Sequence, residues 1–165
     1  MKNKFKHTGS NQNSKKKQIV RLWLGLLKNS GKIERHLRTK LHKNFGITIT
    51  QFDLLSVLDQ ANEALTKSEL SEKMIVTNGN VTWLVNKMVL AGIVVHTRSP
   101  VDGRVQLVQL TDKGSDFFQK MVAEHESWLC NLLQDLEIAE INQLVNSLNR
   151  LKEVLQNTVK LNSGS

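Results

Sequence analysis

The sequence predicts a mainly α-helical protein with one small β-hairpin projecting from it. Three observations carry that class. Apolar residues recur at steps of three and four along most of the 165-residue chain. Proline occurs once, at Pro100, so almost no segment is barred from being helical. Two β-branched runs, "IVVHTR" at 93–98 and "RVQLVQL" at 104–110, flank "SPVDG", which is turn chemistry.

Taken in order, residues 1–17 scatter Lys2, Lys4, Lys6 and Lys15 to Lys17 among Asn, Ser and Gln, which predicts a disordered basic arm. A long amphipathic helix is expected over about 19–43, with Ile19, Trp23, Leu26, Ser30, Ile33 and Leu37 on one face. Lys40, His42 and Lys43 suit the dipole of its last turn, and Gly46 lies beyond its end. Thr50 is placed to cap a second helix that turns Phe52, Leu55 and Leu58 inward. "TKSE" at 66–69 is a capping box, in which the Thr side chain takes one free N–H and the Glu returns to another. The short helix it starts directs Leu70 and Met74 inward. After a three-residue step at 75–77, Val81, Leu84, Val85, Met88 and Val89 define the buried stripe of a further helix, which Gly92 stops. The hairpin follows. Thr111 then caps a long helix with Phe118, Met121, Val122, His125, Leu129 and Leu132 on one face. A last helix carries Ile141, Leu144, Leu148, Leu151 and Leu155, a coiled-coil-like seam that needs a partner surface.

Two helices joined by a tight turn and followed by a hairpin make a winged helix-turn-helix, in which the second helix enters the major groove of DNA. The domain organisation expected is an arm at 1–17, a helical dimerisation region at 18–46 and 112–160, a winged helix-turn-helix domain at 50–111, and a disordered tail at 161–165.

The stretch "VTNGNVTWLVNKMVLAG" at 76–92 pairs an apolar stripe with a face of Asn, Gly, Thr and Trp. Such a face is free to meet bases or backbone. Thr77, Asn78, Asn80, Thr82 and Asn86 can exchange hydrogen bonds there, and Gly79 permits close approach of the backbone. Lys87 is the cation of this helix. Trp83 either packs on a sugar or a thymine methyl or closes an edge of the domain, and helix phase leaves both open.

The charge is uneven. A net +8 divides into 13 Lys or Arg against one acid in residues 1–45, and 10 against 14 beyond. A basic chain often binds nucleic acid or anionic membrane, but a solvated tail explains the excess equally well. From 78 to 104 only Lys87, Arg98 and Arg104 are cationic, so a modest salt dependence per subunit is expected. No apolar run approaches the roughly 20 residues that span a bilayer. The basic, polar N-terminus is followed by no secretion-type apolar stretch. One cysteine, Cys130, fits a reducing interior, and a cytoplasmic protein is expected.

Residues 65–114, "LTKSELSEKMIVTNGNVTWLVNKMVLAGIVVHTRSPVDGRVQLVQLTDKG", resemble the core of the MarR (multiple antibiotic resistance regulator) family. That family's pattern is an LT-x-x-EL-[AS] helix, a recognition helix ending LV-x-x-[LM]-x-x-x-G, a wing with D-x-R, and LT-x-x-G. All four are present in order, and with the flanking helices the resemblance covers about 19–160. It implies a homodimer on pseudo-palindromic double-stranded DNA, usually a repressor, with first and last helices intertwined. It also implies that Arg104 enters the minor groove, oriented by Asp102, and Arg98 is a plausible phosphate contact. A carboxylate-held Arg is preorganised for a narrow A·T groove.

Members of the family often bind small aromatic or anionic effectors beneath the dimer helices. Here such a cleft would draw on Trp23, Leu27, Arg35, His36, Arg38, Phe52, Met121 and Trp128, with Arg35 or Arg38 pairing a carboxylate. Each of these is also ordinary core or surface. "RLWLGLLK" and "TITQFDLL" resemble members that respond to aromatic acids or their CoA thioesters. Peroxide-sensing members carry a first-helix cysteine beside tyrosines. This chain has no tyrosine, and Cys130 reads as inert packing. His7, His36, His42, His96 and His125 lack metal-ligand spacing, so neither metal nor cofactor is expected. No Gly-rich phosphate loop, G-x-S-x-G or His–carboxylate pattern points to an enzyme. The rival reading is a winged-helix module that holds a protein partner without binding a specific operator.

Overall fold

The computed structural model describes residues 8–61, 63–74, 78–99 and 102–162. Their order is α1 (Thr8–Phe45), α2 (Ile49–Asp59), β1 (Leu65–Thr66), α3 (Lys67–Met74), α4 (Asn78–Leu90), β2 (Val94–Arg98), β3 (Gln106–Leu110), α5 (Asp112–Leu132) and α6 (Ile138–Asn162). The chain divides into two units, one running to His125 and the other from Glu126.

In the first unit the predicted class holds: helices surround a small antiparallel sheet of order β1-β3-β2. Val94 pairs with Leu110, His96 with Val108 and Arg98 with Gln106, so β2 and β3 form the expected hairpin. The strand β1 was not anticipated. It is only two residues long, with Leu65 opposite Val108, and no alternation can be read from so short a run. It also ties the start of α3 to the hairpin.

Two other boundaries differ from expectation. The first helix begins at Thr8, not near Ile19. The run from 8 to 18 has no apolar period, but Lys and Gln propagate a helix readily once the apolar part downstream has nucleated one. The second helix is capped by Thr48, not Thr50: the Thr48 hydroxyl accepts from the Gln51 N–H at 3.2 Å, and Gln51 Oε1 accepts from the Thr48 N–H at 2.8 Å. Glutamine three residues on closes that box, and Thr50 has no such partner. The box at 66–69 forms as read, with Glu69 taking the Thr66 N–H at 2.7 Å and Thr66 Oγ1 the Glu69 N–H at 3.2 Å. The Thr66 N–H first, and then the Thr66 hydroxyl, which donates to Glu69 Oε2 at 2.8 Å, hold the Glu69 carboxyl below its ordinary pKa.

Leu41 of α1, Leu54 and Leu55 of α2, Leu70 of α3, Val81 and Val85 of α4, Val94 and Val108 of the sheet, and Met121 of α5 are fully or almost fully buried. Phe52 meets Phe118 at 5.4 Å between ring centroids and stacks on His125 at 4.8 Å. In the second unit, α6 leaves Leu144, Leu148 and Leu155 half exposed.

The end of α4 is held twice. Gly92 adopts φ 70°, a left-handed conformation that favours glycine. Gly92 N–H then donates to Val89 O at 2.9 Å and Ile93 N–H to Met88 O at 3.0 Å, a Schellman closure. From the start of α5, the Thr111 hydroxyl donates to Gly92 O at 2.8 Å while accepting the Gly114 N–H at 3.0 Å. Lys113 Nζ donates to Ala91 O at 3.1 Å. Gly114 lies so close that a Cβ there would sit 2.0 Å from the Ile93 carbonyl oxygen. Gly114→Ala is therefore expected to lower stability by about 1–3 kcal/mol in urea unfolding. Gly103→Ala, which meets open space, should stay within about 0.5 kcal/mol of wild type. Equal midpoints for the two variants would contradict this packing.

Candidate nucleic-acid interface

The proposed interface begins with the apolar side of α4. Val81, Leu84, Val85 and Met88 are each at most 3% exposed, and Val89 is half-buried. Burying each such side chain contributes about 1.5–3 kcal/mol, so the helix has one strongly preferred rotation about its axis. That rotation turns Gly79, Asn80, Trp83, Asn86 and Lys87 to solvent and leaves Thr82 half-buried. The backbone at Asn78 opens the helix, and Thr77 lies outside the described residues. Beneath the helix, Gln51 is almost fully buried and its Nε2 donates to Met88 Sδ at 3.4 Å, a contact no sequence pattern announced.

Trp83 is 60% exposed, so of the two readings left open by the sequence it is not a packed edge of the domain. The Lys87 ammonium, one helical turn on, sits 5.3 Å from its ring centroid, within cation–π range. At Gly79 a Cβ would meet nothing within 4 Å. Among the described residues, packing makes no demand for glycine there.

The wing carries its cations on exposed positions, with Arg98 at the end of β2 and Arg104 in the turn before β3. Asp102 does hold Arg104, but by its main chain: Asp102 Oδ1 accepts from the Arg104 N–H at 2.9 Å. The Asp102 carbonyl accepts from the Val105 N–H, also at 2.9 Å. No ion pair links the Asp102 carboxylate to the Arg104 guanidinium among the described residues. The contact between the two residues is therefore made through the main chain of Arg104. An Asp in a tight turn reaches the N–H two residues on more easily than the end of a long side chain, and the guanidinium is left free for another partner.

The residues expected around an effector differ in exposure. Trp23 and Leu27 lie one turn apart on an exposed stretch of α1, while Phe52 and Met121 are buried in the core of the first unit. Met121 has no accessible surface and acts as packing. Trp128 is buried and belongs to the second unit. Arg38 is engaged by Glu34 in an i,i+4 ion pair, whereas Arg35 is exposed and has no ion pair among the described residues. Near Phe52, burial first and the Glu34 charge second push the Asp53 carboxyl up, with His125 partly opposing. His125, which sequence reasoning placed only on a packing face, is the ring stacked on Phe52.

Elsewhere, His96 on β2 has a buried Nδ1 without a hydrogen-bond partner among the described residues. Burial, then the charge of Lys67, holds its pKa below 6.5. Among the described residues no group of three His, Cys, Asp or Glu is placed to hold a metal ion, and no helix is long and apolar enough to cross a membrane.

Comparison with known proteins converges on one group. A profile described as "MarR family" matches residues 45–105, which span from the end of α1 to the wing. The HTH-type transcriptional regulator YdgJ of Bacillus subtilis (strain 168) is 26% identical over 125 residues, covering 76% of each chain. The HTH-type transcriptional regulator MhqR of the same organism is 23% identical, covering 80% of this chain and 90% of its own. Among solved structures, a MarR family transcriptional regulator from Silicibacter pomeroyi aligns with TM-score 0.73 and 27% identity, over 86% of this chain and 97% of that one. A MarR family regulator from Streptomyces coelicolor, solved in complex with DNA, aligns with TM-score 0.71 and 22% identity, over 82% of this chain and 86% of that one.

Proposed function

We propose that this chain, whose residues 45–105 match the MarR family profile and which resembles DNA-binding transcriptional regulators, is a homodimeric repressor that occupies pseudo-palindromic operators and is released by a small-molecule effector. The observation that carries the DNA reading is α4 itself. Its apolar stripe is sealed into the lobe, and its other face of Gly79, Asn80, Trp83, Asn86 and Lys87 is open beside the exposed Arg98 and Arg104. Asn78, Thr77 and Thr82 complete the major-groove set, and Asp102 keeps the wing backbone in the shape that projects Arg104 toward the minor groove.

A second copy supplies what one copy lacks. Leu144, Leu148 and Leu155 follow coiled-coil spacing on α6 and stand half exposed, as do Ile19, Leu22 and Trp23 on α1. A monomer seldom leaves such surface to water, and pairing covers it. Pairing also doubles the few cations available for phosphate and sets two α4 helices about one turn of DNA apart, about 34 Å. An effector that changed this spacing would weaken binding. We assign it a small aromatic or anionic character, with Arg35 as the candidate cation because Glu34 holds Arg38.

A gel shift with the DNA upstream of the protein's own gene tests the wing. Arg104→Ala is expected to weaken binding by roughly tenfold, about 1.4 kcal/mol. Equal binding of both proteins would remove Arg104 from the interface, and binding by neither would favour a protein-interaction module. Assembly is tested by sedimentation: Leu148→Glu should convert a dimer to monomer, and a dimer that survives the substitution would place the interface elsewhere.

A further inference from the structure

At 3.6 residues per turn, Gly79, Asn80, Trp83, Asn86, Lys87 and Leu90 share an arc of about 120° on α4. The arc faces away from Val81, Leu84, Val85 and Met88. Its middle is occupied by neither asparagine nor the lysine but by Trp83, with Leu90, 89% exposed, two turns along the same line. A recognition face with an indole at its centre is chemically unlike one built of amides. We propose that Trp83 is a specificity-determining residue that selects a thymine through its 5-methyl group in each half-site, with Lys87 held over its ring. The inference rests on α4 being the DNA-facing helix.

The argument is one of matching chemistry. In the major groove adenine presents an acceptor and a donor, guanine two acceptors, and cytosine a donor, while thymine adds a methyl group to its one acceptor. The face of an indole ring offers no conventional hydrogen bond. Set against adenine, guanine or cytosine it would strip water from polar edges and leave them unpaired. Against thymine it covers an apolar group and strands the least. The Lys87 ammonium, 5.3 Å from the ring centroid, favours this placement of the ring and keeps a cation beside the groove wall, where phosphates lie.

The test is selection of duplexes by the full-length protein from two random libraries, one amplified with dTTP and one with dUTP, whose uracil lacks only the methyl. From the thymine library, wild type should enrich a thymine at one fixed position per half-site. From the uracil library that one preference should vanish while the other enriched positions persist. Trp83→Ala, a change at an exposed site whose folding is checked by circular dichroism, should lose the preference in both libraries. It should also bind the wild-type motif about fourfold more weakly per half-site, the effect of one buried methyl. Lys87→Met should blunt the same preference without moving it to another base. The proposal is overturned if uracil is enriched as strongly as thymine, if Trp83→Ala keeps the preference, or if the position selects guanine, which would indicate donation from the indole N–H. A thymine preference untouched by Lys87→Met overturns the part given to the cation. Failure of wild type to enrich any sequence would sink the DNA-facing assignment of α4 instead, and this proposal with it.

Discussion

Burial of the Val81, Leu84, Val85 and Met88 stripe is the constraint on which the rest depends. A 13-residue helix is marginal by itself in water, so α4 exists because its apolar side is inside the lobe. The same burial fixes which residues face out. Its C-terminal end is then pinned from α5 by the Thr111 hydroxyl, the Lys113 ammonium and the close approach of Gly114 to the Ile93 carbonyl. Displacing the start of α5 would therefore drag the end of α4 with it.

Everything functional in the proposal is what this anchoring leaves over. The outward side of α4 carries one cation, and the wing adds Arg98 and Arg104, so a single copy can neutralise few phosphates. The proposal answers this with two copies at a fixed spacing, paired through the half-exposed leucines of α6. The wing illustrates the same economy. Asp102 is used on the backbone of Arg104, which keeps the turn in shape without occupying the guanidinium.

How much of this was legible in the sequence depended on the length of the signal. The stripe of α4, the Thr66–Glu69 capping box and the Thr111 cap were readable because each is a local pattern with its own chemistry. Thr48 was missed in favour of Thr50 because either threonine precedes an apolar run, and only the Gln51 side chain decides between them. The two-residue β1 has no period to detect, and the N-terminal extension of α1 has no apolar one. The outward turn of Trp83 was undecided at one residue's worth of helix phase, and only the burial of its neighbours settles it. Met121 and Phe52 look alike in sequence whether they line a cleft or fill a core, and both are buried.

Two side chains on α4 report on the central claim at once, since Trp83 and Met88 lie on opposite sides of the same helix and both react readily with hydroxyl radicals. The decisive measurement is hydroxyl-radical footprinting of the protein, alone and bound to a duplex it has selected, read at these two residues by mass spectrometry. The account predicts Trp83 labelled in the free protein and protected by DNA, and Met88 unlabelled in both. Labelling of Met88 in the free protein, or equal labelling of Trp83 with and without the duplex, would contradict it.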